Sequence, residues 1–434
     1  MGNAVGVSRE RYPHVPPYVT ILAFEGPDRY SMVGGLGVRV TELSAALGEN
    51  GFSTDLFFVG DPDKPGLEEI APNVRLRRWC QWISKYHPGG VYDGEGGKIN
   101  DFTQSVPSAV ISDVVVPAGR NGERVLVIAE DWQVVPALIR LDAELRKAGL
   151  RDRAILTWNA NNTYGFEAID WRALERAAFI TCVSKFMKFE IGLRNVEAVV
   201  IPNGIPEALP EQDNEAGVEV LCEALRGRKT LLKVGRYDPD KRWLQAIHAV
   251  ADLKDAGENV MLVVRGGKEP YGETVFAQAR ARGLSIEDLS LADSSPEQLA
   301  AALAPLQADI VNLKSFLPNE TLYALYGAVD AVLANSGKEP FGLVGLEVMA
   351  SGGVAVCGST GEEYARPFDN AIVCDTGDPR ELAAYLTELF SNGKIGKRIR
   401  KRGRKTAAQN AWPDVFRLLD AKLAYFESSE KAKL

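Results

Sequence analysis

Glu339 and Glu347 lie eight positions apart in the stretch SGKEPFGLVGLEVMASGG, Ser336 to Gly353, which is otherwise small and apolar. Gly337 and Gly342 flank the first acid, and FGLVGLEVMASG reads as a helix carrying the second acid in its second turn. Glycines in such a turn let backbone amides approach a ligand closely, and a helix start offers unpaired N–H groups and a partial positive charge. The chemistry this suits is a phosphate held by amides, beside carboxylates that accept hydrogen bonds from sugar hydroxyls. Two surface glutamates on an amphipathic helix are the alternative.

LLKVGRYDPDKRW adds two cations, Arg236 and Lys241, in the turn after an apolar run. Cations there would neutralise a diphosphate as its bond to a sugar breaks, stabilising charge that grows in the transition state. Solvated loop charges are the alternative. VGGLGVRV, Val33 to Val40, opens another helix with the pair Gly34 and Gly35, a generic anion cradle. Its spacing is not the GxGxxG of dinucleotide binding.

These groups need strand-to-helix turns to hold them, and the chain supplies such turns throughout. YVTILAFEG is a short continuous apolar run of the buried parallel-strand type, LGVRVTELSAALGENG repeats Leu36, Val40, Leu43 and Leu47 at helical spacing, and STDLFFVGD is a second strand. VLVIAED, AILTWNA, AFITCVS and AVVIPNG continue the pattern. After the Pro- and Glu-rich segment IPEALPEQDNEAG it begins again, with strands TLLKVGR, NVMLVVRGG, DIVNLKS, AVLANS, VAVCGS and AIVCD. WLQAIHAVADLKDAG, SPEQLAAALAPL and PRELAAYLTELF are the intervening helices. The expectation is α/β: two doubly wound, Rossmann-like parallel-sheet domains facing each other across a ligand-binding cleft. Residues 1–204 form the first, 205–217 the linker and 218–412 the second.

The bulk composition agrees. A chain of 434 residues is too long for one ordinary core, and 46% hydrophobic with 25% charged residues is a globular balance. A net charge of −8 argues against a nucleic-acid binder with a generally basic surface. Five scattered cysteines without a CxxC pair indicate neither a disulfide framework nor a zinc site, and fit a reducing cytoplasm. His14, His87 and His248 share no metal-like spacing. No apolar run has transmembrane length. KIGKRIRKRGRK, residues 394–405, carries eight basic residues; a solvated helix is the main reading and peripheral contact with an anionic membrane the other.

Taken together, GGLG near the first helix, Arg236 with Lys241 five residues later, and EPFGLVGLEVMASG resemble the retaining GT-B glycosyltransferases of family 4, the glycogen synthase and sucrose synthase type. AEDWQVVPAL, CVSKFMK, VVIPNGI and LYALYGAVDAVLANS sit where that family has similar stretches, so the resemblance spans nearly the whole chain. It implies the GT-B architecture, with a terminal helix at about 413–434 packing back on the first domain. Arg236 and Lys241 would hold the donor diphosphate, and Glu347 the nucleotide ribose. Glu339 would contact the donor sugar, with the amides of Phe341, Gly342 and Leu343 beside it. Gly34 and Gly35 would close over the phosphate or acceptor.

The chain departs from this pattern in two places: many relatives carry a histidine in a T-x-H segment, and ILTWNANNTYGF puts Asn159 there. Asparagine can orient a sugar hydroxyl but cannot relay a proton. The lysine that bacterial glycogen synthases place before the glycine pair is also absent, Ser31, Met32 and Val33 occupying that stretch. The function implied is a metal-independent, retaining transfer of a hexose from a UDP-, GDP- or ADP-sugar to a hydroxyl acceptor, with the nucleotide sugar as co-substrate and no other cofactor. A nucleotide-sugar epimerase or hydrolase, and a non-catalytic sugar-nucleotide-binding subunit, are the alternatives.

Overall fold

The computed structural model describes residues 10–209 and 215–431, so part of the linker segment, residues 210–214, lies outside the described residues. The chain divides into two compact units, Met1–Pro206 with Trp412–Leu434, and Glu207–Ala411. Each is built on one sheet, and the GT-B fold rests on this pair of parallel-sheet α/β units.

In the first unit the strands are β1 (Tyr18–Leu22), β2 (Ser53–Val59), β3 (Leu67–Ala71), β4 (Val74–Trp79), β5 (Val125–Glu130), β6 (Ala154–Ala160), β7 (Phe179–Cys182) and β8 (Val199–Val200). Their order across the sheet is β3-β4-β2-β1-β5-β6-β7-β8. All pairings are parallel except β3 with β4. β5 and β6 are buried along their whole length, as strands covered by helices on both faces must be. The sequence reading omitted β3 and β4, for a physical reason. VRLRRW alternates buried and half-buried positions, and the edge strand LEEIA is wholly exposed, so neither shows the apolar run of a central strand.

Helix Gly35–Glu49 buries Leu36, Val40, Leu43 and Leu47 against this sheet. The last helix, Trp412–Lys431, inserts Trp412, Val415, Phe416, Leu419, Leu423 and Phe426 into the same core, beside Tyr12, Phe52 and Ile201. Their spacing of three and four is one helical face, and burying each such side chain is worth roughly 1.5–3 kcal/mol. Phe426 stacks on Phe179 at 4.2 Å, and the Trp412 amide donates to the Ile205 carbonyl at 3.1 Å. Gly204 permits that return, since a Cβ there would lie 2.6 Å from the Trp412 ring.

The second unit contains β9 (Lys229–Val234), β10 (Val260–Arg265), β11 (Ile286–Leu289), β12 (Ile310–Leu313), β13 (Ala331–Ala334), β14 (Ala355–Gly358) and β15 (Ile372–Cys374), ordered β11-β12-β10-β9-β13-β14-β15 and all parallel. β11 was missed because IEDL carries two acids at its half-exposed edge. In the basic helix Gly393–Ala408, Arg400 donates to the carbonyls of Gly327, Val329 and Gly352, where neighbouring helices end. Arg398 donates to Phe368 O and Arg402 pairs with Asp369, while Lys394, Lys397, Lys401 and Lys405 face solvent. Three of the eight basic side chains of this segment are therefore tied into the fold. No helix among the described residues is long and apolar enough to cross a membrane.

Candidate active site

In an open parallel sheet, ligands bind beyond the strand C-termini where the winding reverses. In the second unit that point lies between β9 and β13, and the sequence-predicted residues follow those two strands. Past β9 the loop turns through Gly235, whose φ of 150° favours glycine, and the Trp243 indole donates to Arg236 O at 2.8 Å. Past β13 the Gly337 amide donates to Asp240 O at 2.7 Å, locking the two loops together. Lys241 Nζ then meets Glu339 Oε2 at 2.5 Å. Arg236 is exposed, and no side-chain hydrogen bond or ion pair engages its guanidinium among the described residues.

Gly342, at φ 77°, turns the chain into helix Leu343–Ala350. A Cβ at this position would strike Glu362, 2.4 Å from its Cγ, and the Tyr364 hydroxyl donates to Gly342 O. Phe341 is buried against Tyr364, leaving the backbone of residues 341–343 at the helix start. Glu347 sits half-buried one turn on, and desolvation pushes its pKa up to about 7.

Two further groups escaped sequence reasoning. Lys233 is buried in β9, donating to Leu333 O at 3.0 Å and Asn335 Oδ1 at 2.7 Å, and desolvation, aided by the charge of Lys241, lowers its pKa to about 7. Glu362, beneath Gly342, is held well above the ordinary carboxylate range by burial and by Glu339. Both lie in apolar strand or loop contexts whose spacing carries no signal. Their significance comes from the elements packed over them.

The first unit has a corresponding reversal between β1 and β5. Here the glycine pair is used differently from a free anion cradle. Glu25, just past β1, brings Oε2 to the amides of Val33, Gly34 and Gly37 at 3.2, 3.0 and 3.0 Å, so the chain's own carboxylate caps this helix start. Tyr92 donates to the other oxygen. A Cβ at Gly34 or Gly35 would meet no protein atom within 4 Å, so the open space beside the pair is available to a ligand.

At the end of β5, Glu130 is fully buried and receives Arg39 Nε at 3.2 and 3.1 Å and Nη2 at 3.0 Å. Asn159 and Asn161 also donate to it, at 2.9 and 2.5 Å. Asn159 is only 1% exposed, and its carbonyl accepts from Thr181 at 2.9 Å. Both polar ends of Asn159 thus have protein partners, which makes it a group that positions Glu130. Asp131 adopts φ 65° and accepts from the Asn161 amide and the Asn162 side chain; desolvation, with Glu130 and Glu25 nearby, raises its pKa to about 7. No cluster of three or more His, Cys, Asp or Glu side chains placed to hold a metal ion occurs among the described residues.

Removing the Asn159 side chain leaves Glu130 and Thr181 short of buried partners. Asn159→Ala should therefore cost about 1–3 kcal/mol in denaturant unfolding, the desolvation penalty of such groups. A loss within 0.3 kcal/mol would contradict the buried network.

The two parallel-sheet α/β units define a GT-B fold. The family model for "Glycosyl transferases group 1" matches residues 223–406, almost the whole second unit. The chain is 22% identical over 427 residues to the mannosylfructose-phosphate synthase of Agrobacterium fabrum, covering 91% of this chain and 87% of that protein. Among solved structures it resembles the sucrose-phosphate synthase of Thermosynechococcus elongatus, with TM-score 0.64, 18% identity and coverage of 95% and 99%. The catalytic domain of starch synthase IV from Arabidopsis thaliana, bound to ADP and acarbose, superposes with TM-score 0.67 at 15% identity, covering 94% and 99%.

Proposed function

We propose that the protein is a retaining hexosyltransferase that moves the sugar of a nucleoside diphosphate sugar to a hydroxyl acceptor without a metal. The observation that carries this reading is the pairing of Lys241 with Glu339 beside the unpaired Arg236, on two loops tied together at the reversal of the second sheet. Arg236 and Lys241 take the diphosphate, Glu339 and the amides of Phe341, Gly342 and Leu343 the sugar and its phosphate, and Glu347 the ribose hydroxyls. The two cations supply the charge neutralisation that a metal would otherwise provide. The leaving phosphate oxygen takes the acceptor proton, so no histidine is required at Asn159. A relative named mannosylfructose-phosphate synthase and a neighbour bound to ADP agree with this chemistry.

Incubation with UDP-, GDP- and ADP-hexoses and a panel of sugar acceptors, followed by proton NMR of the new anomeric centre, tests the proposal. A glycoside with the donor's own anomeric configuration is expected. Inversion would overturn the retaining assignment, sugar released or altered without acceptor would indicate a hydrolase or epimerase, and binding without turnover a non-catalytic subunit.

Glu347 gives a second test. Its ionised form accepts from two vicinal hydroxyls, and with a pKa of about 7 only about a tenth is ionised at pH 6. Nucleoside diphosphate affinity should therefore rise about tenfold between pH 6 and pH 8 in the wild type, beyond any change that the nucleotide's own titration produces in Glu347→Gln. Parallel calorimetric profiles for the two proteins would remove Glu347 from the ribose site.

A further inference from the structure

A cavity of about 820 Å³ opens on the first unit at the edge of its sheet, between helix Lys185–Gly192, strand β8 and the last helix, Trp412–Lys431. None of its lining residues belongs to the sites described above. The sequence SKFMKFEIGL accounts for the helix: Ser184 accepts from the Met187 amide at 3.1 Å and starts it, and Met187 and Ile191, four positions apart, are buried. The opposite face carries Lys185, Lys188, Phe189, Gly192 and Leu193 at helical intervals, and all five are exposed. Phe189 is 64% and Leu193 62% exposed. Lys422 lines the cavity from the last helix, and one turn on Tyr425 is exposed as well. Three lysines and no acid line this cavity among the described residues, in a chain whose net charge is −8. Lys188 and Lys422 have neither an ion pair nor a side-chain hydrogen bond among the described residues. Just past the helix, the Arg194 guanidinium lies 4.7 Å from the Phe166 ring, which anchors this end of the surface.

We propose that this face docks on an anionic phospholipid bilayer, with Phe189 and Leu193 inserted at the headgroup level and Lys185, Lys188 and Lys422 against lipid phosphates. The proposal is independent of the glycosyl-transfer reading. Lysine stems cover apolar surface while their ammonium groups reach outward, and that pairing suits the boundary between acyl chains and negative headgroups. A second copy of the chain fits worse, because a two-fold contact through this face would set the three lysines of one copy against the three of the other. An added peptide strand also fits worse, since β8 is two residues long and offers too few backbone groups for a ladder. The basic helix Gly393–Ala408 is unsuited to membrane docking for a different reason: Ile395 and Ile399 pack into the core of the second unit and leave it no large apolar side chain to insert.

Co-sedimentation of the whole protein with vesicles of phosphatidylcholine, alone or with about one third phosphatidylglycerol, tests this. The anionic vesicles should bind at least about tenfold more strongly at low salt, and high salt should remove most of the difference. Lys188→Gln/Lys422→Gln should weaken binding to the anionic vesicles about 25-fold, at about fivefold per lysine. Phe189→Ser/Leu193→Ser should weaken it by about tenfold or more, through the lost apolar insertion. Lys394→Gln/Lys397→Gln, in the other basic helix, should stay within about twofold of the wild type. None of the side chains changed is buried, so the thermal unfolding midpoints of all variants should match the wild type. Equal binding to both kinds of vesicle, binding to neither, or binding that both double variants on this face leave unchanged would overturn the proposal. An acidic protein as the true partner of this face would appear as the second of these results.

Discussion

Arg236→Ala is expected to lower turnover about 100-fold with the fold intact, the effect typical of deleting one group that stabilises charge growing in a transition state. Its guanidinium has no protein partner among the described residues to lose, so stability should change little and the whole effect should fall on catalysis. Lys241→Ala differs in an informative way. It removes the same kind of stabilisation but also strips Glu339 of the ammonium at 2.5 Å. The freed carboxylate then repels the diphosphate, so donor binding should weaken as well as turnover. Lys241→Ala/Glu339→Gln should recover part of that binding and none of the turnover. Steady-state kinetics of the three variants decide the matter, and near-normal turnover in both single variants would remove the cations from the site.

Arg39→Ala is expected to destabilise the first unit by about 3–5 kcal/mol, the cost of leaving a buried carboxylate without its cation. Glu130 is fully buried, and the Arg39 guanidinium, which also donates to Asn203 and lies 5.7 Å from the Trp412 ring, is its one ionic partner among the described residues. Against a typical stability of about 5–15 kcal/mol this is a large fraction. Arg39→Lys keeps the charge without the fork and should lose less. Adding Glu130→Gln to Arg39→Ala should restore part of the loss, because the uncompensated charge is then gone. Denaturant unfolding of the four proteins checks this, and a loss below 1 kcal/mol for Arg39→Ala would show that Glu130 is satisfied by Asn159 and Asn161 alone.

Much of the architecture was legible because parallel strands covered on both faces are written as local apolar runs. VLVIAED, AILTWNA and NVMLVVRGG announce β5, β6 and β10 without reference to anything distant. The same holds for the loops carrying Arg236, Lys241 and Glu339, since each joins such a run to a helix and must lie at a strand C-terminus; Glu347 follows in the helix that the second loop enters. β3, β4 and β11 were illegible because an edge strand alternates or exposes its residues, so its identity depends on the neighbour it pairs with.

Which side chains meet is a different matter. Lys241 and Glu339 are separated by 98 positions and touch because the sheet sets β9 beside β13. Arg39 and Glu130 are 91 positions apart and meet because β5 pairs with β1, whose connection leads into the helix bearing Arg39. Sequence suggested an open phosphate cradle at Gly34 and Gly35, yet folding turned Glu25 into it, and it suggested a sugar contact at Asn159, yet folding gave both its polar atoms protein partners. Apolar periodicity and turn chemistry act over a few residues and so are determined by the chain itself. The partner of a buried charge is decided only when strand order brings distant loops to one edge, because burial forces each such group to find the nearest counter-charge or donor that the fold provides.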